Sequence, residues 1–90
     1  MTTLPFEDVW RRILENEGEE FRTKRGLPFT YKIDGNQLLP NRTEYPLHKS
    51  NFKKAYELMP ANGPGELTNE VRGPSYVWAI LNDSRINQKG

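Results

Sequence analysis

The chain has 90 residues, 28% of them charged and 34% hydrophobic, with a net charge of only +1 and no cysteine. That size hides about 60 to 65% of the unfolded surface on folding, so one domain spanning residues 1–90 around one small core is expected. The missing thiols exclude disulfides, thiolate zinc sites and cysteine nucleophiles. Four Phe, four Tyr and two Trp add bulky burial that favours a packed fold over disorder. The opening MTTLPFEDVW is not a basic start followed by an apolar run, and no apolar stretch approaches the roughly 20 residues of a membrane span, so a cytoplasmic protein is expected.

Phe6, Val9, Trp10, Ile13 and Leu14 recur at the spacing of one helical face. Thr3 is placed to cap this first helix, Pro5 falls in its first turn, and Gly18 marks a stop beyond an end near Glu17. Glu15, Glu17, Glu19 and Glu20 have no metal-ligand partner at a suitable spacing and read as a solvated acidic face.

Residues 21–39 carry strand periodicity. Phe29, Tyr31 and Ile33 alternate with Thr30, Lys32 and Asp34, which sends the first row inward and the second outward. Lys24-Arg25-Gly26 suits a three-residue hairpin loop, and Asp34-Gly35-Asn36 a tight primed turn. A three-stranded meander follows, with residues 37–41 at its edge because Pro40 weakens any central position.

Residues 40–46 read as an extended connector. Ser50 is placed to cap a second helix over residues 51–59, with Phe52, Ala55, Tyr56 and Met59 on its apolar stripe and Lys53 and Lys54 pointing away. The turn formers of residues 60–65 end it, and residues 66–71 have room for one helical turn. Pro74 starts a last helix through Tyr76, Val77, Trp78, Ala79, Ile80 and Leu81; its lack of charge makes it the buried element on which the meander and first helix pack. Residues 87–90 read as a frayed tail. The fold class is α+β, and the expected core is Phe6, Val9, Trp10, Ile13, Leu14, Phe21, Phe29, Tyr31, Ile33, Phe52, Tyr56, Val77, Ile80 and Leu81.

Charge is unevenly distributed. Residues 1–21 hold two basic and six acidic side chains, residues 22–54 hold eight and two, and residues 55–90 hold three and four. The middle third therefore invites an anionic partner, unless the acidic first helix neutralises it within the molecule. No metal, cofactor or catalytic group is indicated: His48 is the sole histidine, sits beside Lys49, and reads as an exposed loop residue. Arg72, Gly73 and Ser75 at the start of the last helix form a possible anion site, the alternative being simple capping with Arg72 paired to Glu70 or Asp83.

The outward row of the meander, with Arg22, Lys24, Arg25, Thr30, Lys32, Gln37, Asn41 and Arg42, carries the side-chain types that reach phosphates and base edges. The arrangement is loosely similar to sheet-reading DNA-binding modules, and no family's motif matches it residue by residue. A small non-enzymatic nucleic-acid-binding module is the leading expectation. The alternative is a protein-protein interaction or regulatory accessory domain docking through Trp10, Tyr45, Tyr56 and Trp78.

Overall fold

The computed structural model describes residues 4–87; the expected cap Thr3 and residues 88–90 lie outside that range. Its elements run α1 (Phe6–Glu15), β1 (Phe21–Arg22), β2 (Pro28–Phe29), β3 (Tyr31–Asp34), β4 (Gln37–Pro40), β5 (Leu47–His48), α2 (Lys49–Glu57), a 3-10 turn (Pro64–Leu67), α3 (Pro74–Leu81) and α4 (Ser84–Asn87). The class is α+β, as the sequence indicated.

Helix α1 turns Val9, Trp10 and Ile13 inward. Pro5 stands at the cap rather than within the first turn, and its carbonyl accepts from the Asp8 and Val9 amides at 3.0 and 3.2 Å. Leu14, expected in the core, is 39% exposed because the buried face is centred on Val9 and Ile13. The stop at Gly18 has a second use. Its amide donates to Tyr31 O at 3.1 Å, and a Glu17 carboxylate oxygen accepts from the Ile33 amide at 2.8 Å. The segment after α1 thus covers the outer edge of β3, which would otherwise offer unpaired backbone groups.

The expected single meander is two sheets, with the break at Thr30, whose N–H and C=O both bond Asn41. β1 pairs with β2 through Phe21↔Phe29 and Arg22↔Pro28, while β3, β4 and β5 form a separate antiparallel sheet in that order. Inward and outward alternation is as expected: Phe29 and Tyr31 are buried, Ile33 is partly buried, and Lys32 and Asp34 are exposed. β4 occupies the centre, not the edge. Tyr31 and Ile33 direct their backbone groups away from β4, so the Tyr31↔Pro40 pair needs no donor from Pro40. The true edge is the two-residue β5. Between β3 and β4 the two-residue turn has Gly35 at φ 62 and no positive φ at Asn36, the primed geometry in which only the first central residue is left-handed.

β5 runs directly into α2. Ser50 is not its cap; His48 is, with extended backbone and Nδ1 accepting from the Ser50 amide at 3.0 Å. Phe52 and Ala55 face inward. Helix α3 is surrounded as its composition requires, packing on α2, the 3-10 turn, β1 and α4, with Val77, Ala79, Ile80 and Leu81 buried. Gly73 before it has φ 62 and ψ 47, and a Cβ there would lie 2.9 Å from Leu47 Cδ2, so both conformation and close approach require glycine.

Helix α1 packs chiefly on α2 and on α4, an element absent from the sequence reading. Asp83 Oδ1 accepts from the Arg85 amide at 2.8 Å to start α4, Ile86 is buried, and Asn87 belongs to this helix rather than to a tail. Two chains of rings tie the layers together. Phe6 contacts Trp10 and Tyr56, and Trp10 contacts Phe52; separately, Phe21 contacts Phe29 and Tyr31, and Phe29 meets Tyr76. Leu38, Leu47, Leu67, Val71 and Ile86 complete a core that the sequence reading had drawn without them.

Candidate nucleic-acid interface

The hairpin closes beyond its ladder. Thr23 N donates to Leu27 O at 3.0 Å, Gly26 N to Thr23 O at 2.8 Å, and Leu27 N to Thr23 Oγ1 at 3.1 Å. With Gly26 at φ 87, Lys24-Arg25-Gly26 is the three-residue loop the sequence suggested, locked by its own hydrogen bonds. Lys24 is therefore a loop residue rather than part of an outward strand row. Its Nζ donates to Asn62 O at 2.9 Å, lies 5.9 Å from the Trp78 ring centroid, and covers Gly63 so closely that a Cβ there would sit 2.7 Å away. Two of its three N–H donors remain available.

Three further cations gather on the same hairpin. Arg22 donates to Gly26 O at 3.1 Å and pairs with Glu20 at 3.0 Å. Arg42 reaches Pro28 O at 3.4 Å. Arg25 is exposed and makes no hydrogen bond or ion pair with any described residue. Between the hairpin loop and the start of α3 lies a cleft of about 470 Å³. Its apolar walls are Leu27, Pro64 and Tyr76, and its polar rim is Thr23, Lys24, Arg25 and Ser75. Of the expected anion site only Ser75 lines it.

The remaining candidates lie elsewhere. Thr30 and Asn41 are bonded to each other: Thr30 N donates to Asn41 Oδ1 and Asn41 N to Thr30 O, both at 2.9 Å. Lys32 and Gln37 sit on the outer face of the second sheet, where Leu39 is opposite Lys32, and Asp34 and His48 are opposite Gln37. The row expected to be continuous is thus divided, and its second half mixes cation, acid and Leu39. Arg72 pairs with neither Glu70 nor Asp83. Its guanidinium lies 5.3 Å from the Tyr45 ring, while Glu70 pairs with Lys54 and Asp83 with Arg85. Gly73 is buried against Leu47, and no side-chain hydrogen bond caps the helix start.

Leu27, Pro64 and Tyr76 were missed as site residues. Only Leu27 gave a signal: an apolar residue in a polar loop, 49% exposed. Among the described residues no group of three or more His, Cys, Asp or Glu side chains is placed to hold a metal, and no helix is long and apolar enough to cross a membrane. The groups with displaced titration are structural. Burial pushes the Tyr31 phenol well above its ordinary range, its hydroxyl donating to Ile13 O at 2.5 Å. Hydrogen bonding from Arg85 holds the Asp83 carboxyl below its usual value. No family model, curated protein or solved structure matches this chain.

Proposed function

We propose that the protein is a small non-enzymatic nucleic-acid-binding module that meets phosphates with the hairpin around Lys24 and Arg25, instead of with the broad outer face of a sheet. The observation that carries this reading is the gathering of Arg22, Lys24, Arg25 and Arg42 on one short hairpin against a single paired acid, Glu20. A locked loop loses little conformational freedom when its cations meet an anion, and such a cluster raises the local concentration of polyanions. The protein-docking alternative draws less support. Trp10 is buried, Trp78 Nε1 donates to Ala61 O at 2.9 Å, and the Tyr56 hydroxyl donates to Leu4 O, leaving Tyr45 as the exposed large aromatic.

A salt titration with generic oligonucleotides tests the reading. Three to four neutralised phosphates give a log affinity that falls against log salt with a slope of about −2 to −3 on single strands and about −3 to −4 on duplex DNA. Replacing Arg25 with alanine should reduce the slope by about 0.7 to 0.9. No binding at about 50 mM salt, where the electrostatic contribution is large, refutes the reading.

A further inference from the structure

We infer that the cleft beside the hairpin loop receives one unstacked base, so that the preferred partner is single-stranded nucleic acid rather than an intact duplex; this rests on the binding reading above. The cleft's volume of about 470 Å³ falls within the range of small-ligand sites, about 300 to 1,000 Å³. A duplex keeps its bases inside the stack and leaves such a recess empty, whereas a single strand can turn one base into it.

The walls suit a base. Tyr76 is held edge-on against the buried Phe29, with ring centroids 5.1 Å apart at 73°, so its ring cannot swing freely. Its hydroxyl has no partner among the described residues. Opposite chemistry comes from Leu27, half exposed at the end of a loop fixed by two hydrogen bonds to Thr23, and from Pro64. Leaving Leu27 exposed on a rigid loop is unfavourable in the free protein and becomes favourable once a flat apolar surface covers it.

The rim supplies what an attached sugar-phosphate needs. Arg25 has all its donors open, Lys24 has two, and the Ser75 hydroxyl is unengaged by any described residue. By contrast, the outer face of the three-stranded sheet places Leu39 opposite Lys32 and Asp34 opposite Gln37, so its cation is interleaved with an apolar side chain and an acid.

The test compares oligo(dT), oligo(U) and a duplex of about ten units each by fluorescence anisotropy at matched salt, within the site size of small single-strand-binding folds. Both single strands should bind at least about ten-fold more tightly than the duplex, and a preference between them distinguishes DNA from RNA. Leu27→Ser and Tyr76→Leu should each weaken single-strand binding by about five- to ten-fold with the salt slope unchanged, because they remove stacking and not charge. Tyr76→Phe, which keeps the ring against Phe29, should retain quenching of a 2-aminopurine base in the strand; this separates a stacking role from a loss of folding. Equal or tighter duplex binding, with Leu27→Ser inert, overturns the base-recess inference and leaves the hairpin reading in place. No binding to any of the three at about 50 mM salt overturns both.

Discussion

The two sheets carry side chains of similar type and present them differently. The outer face of β3–β5 follows strand alternation, so each residue's direction is fixed, but cross-strand pairing sets Lys32 beside Leu39 and Asp34 beside Gln37 and His48. The β1–β2 hairpin has only two ladder pairs, yet its loop collects Lys24 and Arg25, and Arg22 and Arg42 bond to its backbone carbonyls. Alternation decides which way a side chain points; concentration of charge is decided by loops and by what folds back onto them. A basic stretch in sequence therefore becomes a concentrated patch of charge only where the chain gathers it.

Helix α3 packs on β1 of the hairpin and contributes Val77, Ala79, Ile80 and Leu81 to the one core cluster, so the largest expected effect falls on the whole fold. Ile80→Ala should lower the unfolding free energy by about 2 to 5 kcal/mol, read from the urea midpoint. A loss below about 1 kcal/mol, typical of surface changes, would place α3 outside the core.

Arg85 ties the start of the hairpin to the C-terminal helix. It pairs bidentately with Asp83 at 2.9 and 3.0 Å, donates to Glu20 O at 2.8 Å and lies 4.0 Å from the Phe21 ring. Its side chain is 38% exposed, so the loss from Arg85→Ala is discounted for solvent screening to about 1 to 2 kcal/mol. Hydrogen exchange should quicken at Phe21 and Phe29 more than at Lys32 and Leu39; equal quickening would mean the two sheets open as one unit.

Tyr31 sharpens the contrast from the core side. Its phenol ionises near 10 in the unfolded chain but at higher pH in the fold, chiefly because of burial. The unfolded state therefore releases its proton first, and the Tyr31 contribution to stability, present below about pH 10, is lost as pH rises toward the folded value. Tyr31→Phe should remove about 0.5 to 1.5 kcal/mol at neutral pH and flatten the alkaline decline, with Tyr56, raised by burial as well, supplying the remaining slope. An unchanged decline would exclude Tyr31 as its source.

The smallest effect is expected at Lys32. Lys32→Glu should shift stability by no more than about 0.5 kcal/mol and change nucleic-acid affinity less than Arg25→Glu does. A larger affinity loss at Lys32 would return the binding surface to the outer sheet face.

Much of this architecture was legible where a local rule acts alone. The Val9-Trp10-Ile13 spacing, the Phe29-Tyr31-Ile33 alternation, the turns at Gly26 and Gly35 and Pro74 as first residue of α3 all follow from short-range geometry. What was not legible depends on distant partners. The division of the meander falls at Thr30, which bonds Asn41 eleven positions on, and β5 is two residues whose pairing with β4 no periodicity announces. His48 displaces Ser50 as cap because β5 delivers it to the helix start in extended conformation. For the site, the cations were readable from composition. Lys24 reaching Asn62, and Tyr76 facing a loop some fifty residues earlier in the chain, were not, since nothing local encodes those meetings.

The central claim, that the hairpin and its cleft are the binding surface, is tested most directly by mapping amide chemical-shift changes on the isotopically labelled protein as oligo(dT) is added at low salt. Shifts should concentrate on residues 23–27 and on Ser75 and Tyr76, with Lys32, Gln37 and His48 unmoved. Shifts centred on Lys32, Gln37 and His48, or on Tyr45 and Arg72, would contradict it.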